Sequence, residues 1–280
     1  MNEIVGNDKW EMKNDITLIN GREVASDILY DDIKTWENIK NVCNFTSKYV
    51  EIGDSCAAQI HVGSQILGNN SLYWYRFFKL WSIYENVIYR FGYGEYLTHR
   101  SRISYYAKPA ALFYNSRLSI MEQRLDSSLI NMLFSIKPKD IAVDGLKNYG
   151  VSYWRMLTDG DYNLFEDFGK VNSGCTIEFR CNNGSFNEIV WQNEINFYIK
   201  MMLYCKSNNF DNEILDRRKM QIESIFSDLW AYSRIYLEQV LELCDMIFDN
   251  NLDKRYFLRQ YLKYFDVADK TLVKAKKFTL

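Results

Sequence analysis

Hydrophobic positions along this chain repeat with two different periods. Between residues 31 and 49, Ile33, Trp36, Ile39, Val42 and Phe45 recur every three or four residues, which lines up one face of an α-helix. Asp31 or Asp32 precedes them, and a short acidic side chain there can accept a hydrogen bond from the first turn. Ser71 is placed to cap a longer helix reaching about Arg90. Its apolar residues cover more than one face, so it is expected to be buried. Helical spacing returns over 117–135 and 186–204, and again from Asn212 to Lys276.

Other stretches read as strands. Trp10–Leu18 and Arg22–Leu29 flank Asn20-Gly21, a dipeptide that favours a hairpin turn because both residues tolerate positive φ. Cys56–Val62, closed by Gly63, and Cys175–Cys181 are short strands, and Tyr153–Thr158 is strand-like. Residues 91–109, 137–150 and 159–174 read as loops. The chain has two prolines, Pro109 and Pro138, so long elements run without breakers. The expectation is an α+β fold. Residues 1–210 form an α+β domain, and residues 211–280 form a helical C-terminal region packed on it.

Composition narrows the function. With 48% hydrophobic residues the chain can bury a core. Its 34 Lys and Arg nearly balance 36 Asp and Glu. The one basic cluster is Lys274, Lys276 and Lys277, so no nucleic-acid partner is expected. No apolar run is long enough for a membrane span, and the polar first residues do not read as a secretory signal. Six cysteines without a CxxC pair point away from zinc and toward reduced thiols in a cytoplasmic protein.

Two strands carry candidate chemistry. In Cys56–Gly63, Gln59 and His61 share a face because strand side chains alternate. They could meet one ligand or metal, or form the polar rim of a cleft. In Cys175–Cys181, Thr176, Glu178 and Arg180 share a face while Ile177 and Phe179 point to the other. A carboxylate beside a guanidinium can hold a cation with phosphate oxygens. It can equally be an ordinary ion pair. Glu23, after the hairpin turn, is a ligand candidate or an edge residue. The segment from Thr98 to Pro109 holds His99, Arg100, Arg102 and Lys108 with two tyrosines. It suits an anion or nucleotide, or is a solvated loop.

In order, these pieces resemble the amidoligase family of glutamine-synthetase-like carboxylate–amine ligases. The matching positions are Asp15, Thr17, Leu18, Gly21, Glu23 and Ser26 in the hairpin, then Cys56–Gly63. Arg102–Pro109 and Thr176–Arg180 with Trp191 complete the set. The resemblance covers roughly residues 10–205. It implies an antiparallel sheet of glutamine-synthetase-like type, packed by long helices, whose face holds ATP and Mg2+. It also implies formation of an amide or peptide-like bond through an acyl phosphate, with small-molecule or peptide carboxylates and amines as substrates. Glu23, Glu178 and His61 would then be metal ligands, and Glu178, Arg180 and His61 catalytic. Arg180, Arg102, Arg100 and Gln59 would contact the nucleotide.

The chain departs from the family pattern twice. Gln59 stands where the family strand carries a histidine, and an amide is a weaker metal ligand. The family's opening strand with a G-x-E-x-E pair has no counterpart before the hairpin. A second expectation therefore stands beside the ligase: a catalytically degenerate amidoligase-like binding or assembly module. It could be an oligomer, or have a partner subunit that supplies a strand.

Overall fold

A computed structural model describes residues 10–14, 21–158, 175–222 and 231–263. Its axis is a long helix, α2 (Ser71–Gly92), buried at every residue from Phe77 to Gly92. Asn70, not Ser71, is its N-cap: Asn70 Oδ1 accepts from the Leu72 amide at 2.9 Å. Ser71 sits one position further in and donates to the Ser127 carbonyl. At the far end the chain turns at Gly94 with φ 57, a left-handed conformation that glycine adopts without strain. Helix α1 (Ile33–Thr46) is capped as expected, with Asp32 accepting from the Thr35 amide at 2.7 Å.

Around α2 lie two small antiparallel sheets and further helices, a mixed α+β arrangement. Strands β1 (Trp10–Asn14) and β2 (Arg22–Ser26) form a hairpin of their own. Residues 15–20, including Asp15, Thr17 and Leu18, lie outside the described residues. Strands β3 (Ala57–Gly63), β4 (Val151–Ser152) and β5 (Thr176–Asn183) pair in the order β3-β5-β4. The inner face of this sheet carries Ile60, Val62, Val151, Ile177 and Phe179, all buried. Phe179 stacks on Tyr198 of α8 (Glu188–Lys206), with ring centroids 3.9 Å apart, and contacts Phe77 and Trp81 of α2. Burying one such ring is worth about 2–3 kcal/mol, so this seam anchors the sheet to both helices.

The expected helix over 117–135 is instead broken. After the turn α3 (Ile103–Tyr106), three short helices follow: α4 (Ala111–Asn115), α5 (Leu118–Glu122) and α6 (Leu129–Ile136). Serines cause the breaks. Ser116, Ser127 and Ser128 hydrogen-bond nearby backbone and offer it an alternative to the helical ladder. Likewise Tyr153–Thr158 is not a strand; only Val151–Ser152 pairs, and α7 (Arg155–Thr158) is a helical turn.

Helices α9 (Asn212–Ile222), α10 (Leu237–Ile247) and α11 (Asn251–Leu262) close over α2 and α8. Phe257 packs on Phe91 and Phe197 at 4.5 and 5.0 Å. One hydrophobic core runs unbroken from Ile60 to Tyr261, joining the two halves read from the sequence. All six cysteines are free thiols. Among the described residues, no helix is long and apolar enough to cross a membrane.

Candidate functional site on the outer face of the β3–β5–β4 sheet

Alternation along β3 buries Ala58, Ile60 and Val62 and turns Gln59 and His61 outward. In the β3–β5 register His61 stands directly opposite Glu178. Ser152 of β4 flanks Glu178 on the other side. Between Ala58 and Ile60 the register slips, so Gln59 faces two residues of β5, Arg180 and Cys181. Such a bulge kinks a strand and re-aims its side chains. Beyond it β5 is buried on both faces, through Asn182 and Asn183.

Glu178 is the centre of the face and is 3% exposed. Its Oε1 accepts a close hydrogen bond from Arg180 Nη1, and its Oε2 accepts from Trp154 Nε1 at 3.0 Å. His61 Nε2 lies 3.6 Å from Oε1, and His61 Nδ1 lies 3.3 Å from Thr176 Oγ1. Arg180 is further fixed by its Nε, which donates to the Tyr106 carbonyl at 3.1 Å. Its Nη2 is the guanidinium nitrogen not engaged by the described residues. Burial holds the His61 pKa below its usual value. The nearby Arg155 and Arg180 act in the same direction, and together they outweigh Glu178. The imidazole is therefore neutral at pH 7 and can donate one hydrogen bond and accept another.

The other residues picked out by sequence lie elsewhere or serve the fold. Arg100 is buried and turned inward. It donates to the carbonyls of Asn182 and Arg180 at 2.7 and 2.8 Å, so it braces β5 instead of reaching a nucleotide. Burial lowers its pKa to about 10, which leaves it charged. Glu23 is exposed on the separate hairpin, paired in register with Lys13, and does not share the sheet of Glu178. Arg102 is exposed and begins the turn α3 at φ 59, a left-handed conformation unusual for arginine. Holding such a residue costs on the order of 1 kcal/mol, and strain of this kind gathers at binding sites.

The described residues do not assemble the expected Mg2+ set. Mg2+ requires several hard oxygens in near-octahedral array. Here one carboxylate is already shared between a guanidinium and an indole, and the second, Glu23, is on another sheet. Among the described residues no group of three or more His, Cys, Asp or Glu is gathered for a metal. A cavity of about 460 Å³ lies elsewhere, lined by Tyr204, Asp211, Glu242, Asp245 and Asp249. Glu242 is paired there with Arg218 and Asp245 with Lys254. The chemistry of the sheet face, not that cavity, defines the candidate site.

Trp154 and the Tyr106 carbonyl are site components that sequence reading missed. The available signal for Trp154 was an indole N–H in a half-buried stretch, which needs an acceptor. No protein-family model, no characterised protein and no solved structure matches the chain.

Proposed function

We propose that this chain is an amidoligase-like module, of glutamine-synthetase-like descent, that binds the phosphate of a nucleotide on its β3–β5 face without running the ligation. One observation carries the reading. Glu178, the carboxylate a catalytic metal would need, is already committed to Arg180 and Trp154. What the face offers instead is donors. Arg180 Nη2 brings two N–H groups with a charge, a geometry suited to phosphate oxygens. The neutral His61 imidazole, whose side chain is 32% exposed, adds another. Tyr105, 68% exposed and adjacent to the Tyr106 carbonyl that orients Arg180, offers a ring on which a base can stack.

The test is calorimetry with ATP, run with Mg2+ and with a chelator, beside an assay for ADP release over a pool of amino acids. ATP is expected to bind equally in both buffers with no ADP formed. Failure of ATP to bind in either buffer removes the proposal. ADP release that disappears in Glu178→Gln would replace it with the ATP- and Mg2+-dependent carboxylate–amine ligase. The observation in favour of that second reading is that His61, Glu178 and Arg180 share one face of paired strands.

A further inference from the structure

We propose that Glu85 is a positioning residue for this face: its buried carboxylate fixes residues 107–111, and through them the Tyr106 carbonyl that orients Arg180. The inference rests on the binding reading for its purpose, but its geometry stands independently.

Glu85 lies on α2 and is fully buried. Four donors converge on it, none of them charged. Trp81 Nε1 and the Ala110 amide reach Oε1 at 2.8 and 2.6 Å. The Ala111 amide and Tyr232 hydroxyl reach Oε2 at 2.9 and 3.0 Å. The two backbone amides follow Pro109, whose ring restricts the approach of the chain. Upstream, the Ala107 carbonyl accepts from Tyr89 of the same helix at 2.8 Å. Lys108 is pinned to Asn148 and Gly150, and Gly150 accepts from the Arg180 amide at 2.8 Å. Tyr114, on the helix that begins beside Glu85, donates to Val151 of β4. The segment that fixes Arg180 is thus held to α2 at both of its ends, and the downstream anchor is the Glu85 carboxylate. Through Tyr232 the same carboxylate touches the C-terminal region.

The substitution Glu85→Gln would keep the shape but present one oxygen and one NH2 to four donors. At least one backbone amide then loses its acceptor, and the segment must shift. Burial raises the Glu85 pKa to about 7, against the lowering effect of its four donors. Among the described residues, the ionisable groups around it are Tyr89, Tyr93, Tyr114, Tyr232 and Cys181. Burial raises all of their pKa values, so they stay neutral, while Arg100 stays charged. Near neutral pH the titrating member of the hub among the described residues is therefore Glu85.

The experiment follows the Arg180 Nε–H and Trp154 Nε1–H resonances of the 15N-labelled full chain across pH, with ATP affinity as a parallel readout. Arg180 Nε–H is expected to titrate with a midpoint near 7 in wild type, to move in Glu85→Gln, and to lose that midpoint there. ATP affinity in Glu85→Gln is expected to fall roughly fivefold or more. Tyr232→Phe, which deletes one donor and keeps the ring, is expected to move the midpoint upward. Resonances unchanged by both variants, or a midpoint that vanishes in His61→Gln instead, would overturn the proposal. If ATP fails to bind wild type, the binding reading falls while the resonance shifts still decide the role of Glu85.

Discussion

Two buried carboxylates organise two regions of this protein, and they are satisfied by opposite means. Glu178, on the outer face of the sheet, is 3% exposed and accepts from the cation Arg180 and the indole of Trp154. Glu85, in the helical core, is fully buried and accepts from four neutral donors. Counted by hydrogen bonds, Glu85 is the better served. Counted by charge, it is the worse served, and desolvation outweighs all four donors to raise its pKa to about 7. The sheet region is therefore built on charge compensation, whereas the core region holds a group poised to change its protonation. Hydrogen bonds fix position in both places; among the described residues a counter-charge is present in only one.

The sharpest break of this comparison is to remove the counter-charge. Arg180→Met leaves Glu178 buried with the Trp154 indole and the neutral His61 imidazole beside it, and is expected to destabilise the fold by about 4 kcal/mol, the range for an orphaned buried charge. Adding Glu178→Gln to the same chain should recover much of the loss, because the uncompensated charge is gone. Urea unfolding of both variants checks this. If single and double variants unfold alike, Arg180 is not what balances Glu178.

The next effect is on the core side. In the unfolded chain Glu85 titrates at its ordinary value of 4.5, and in the folded protein at about 7. A folded-state pKa above the unfolded one favours folding while the group is protonated. The contribution is complete below pH 4.5 and is lost as pH rises to 7, on the order of 3 kcal/mol. Glu85→Gln cannot ionise, so its stability relative to wild type should rise by that amount between pH 4.5 and 7.5, whatever its offset. Unfolding curves at the two pH values measure it. A constant difference would mean that Glu85 is not the titrating group. A smaller effect belongs to Trp154→Phe, which keeps the ring but strips Glu178 Oε2 of its donor. We expect a loss of about 1–2 kcal/mol in urea unfolding at pH 7.5.

Much of this architecture is legible in the amino-acid pattern, for reasons that also explain what was not. The outward pair Gln59 and His61 and the outward Glu178 follow from period-two alternation, a local rule that tertiary packing here respects. A cap at Asp31 or Asp32 and the long buried helix follow from equally local rules, although the long helix is capped by Asn70 and not by Ser71. What escaped reading depends on contacts distant in sequence. Arg100 looked like a loop cation, yet β5 presents two carbonyls to it, a partnership 80 residues away. Glu23 matched a motif by order, but order does not say which sheet a hairpin joins. The break in 117–135 turns on serines whose competition with the helix is weak singly and decisive where several cluster. Glu85 carries no local signal, because its donors at Ala110, Ala111 and Tyr232 come from segments distant in sequence that fold back onto it.

The smallest expected effect is also the one that separates site from scaffold. His61 is partly exposed, its contacts to Thr176 and Glu178 are 3.3 and 3.6 Å, and neither closes a buried shell. His61→Gln should therefore change stability at pH 7.5 by no more than about 0.5 kcal/mol. Its signature lies in the direction of pH dependence. The His61 pKa is depressed in the folded protein by burial and by Arg155 and Arg180. Below 6.5 the unfolded chain takes up the proton first, so wild type loses stability as pH falls, the reverse of the Glu85 slope. His61→Gln should remove that acid-side loss while leaving the Glu85 slope in place, and should weaken ATP binding at pH 7.5, where no proton is involved. Stability curves from about pH 5 to 7.5 with parallel calorimetry measure both. Persistence of the acid-side loss would assign it to another group. Unchanged ATP affinity would remove His61 from the proposed binding face and leave the binding to Arg180 and the other residues of that face.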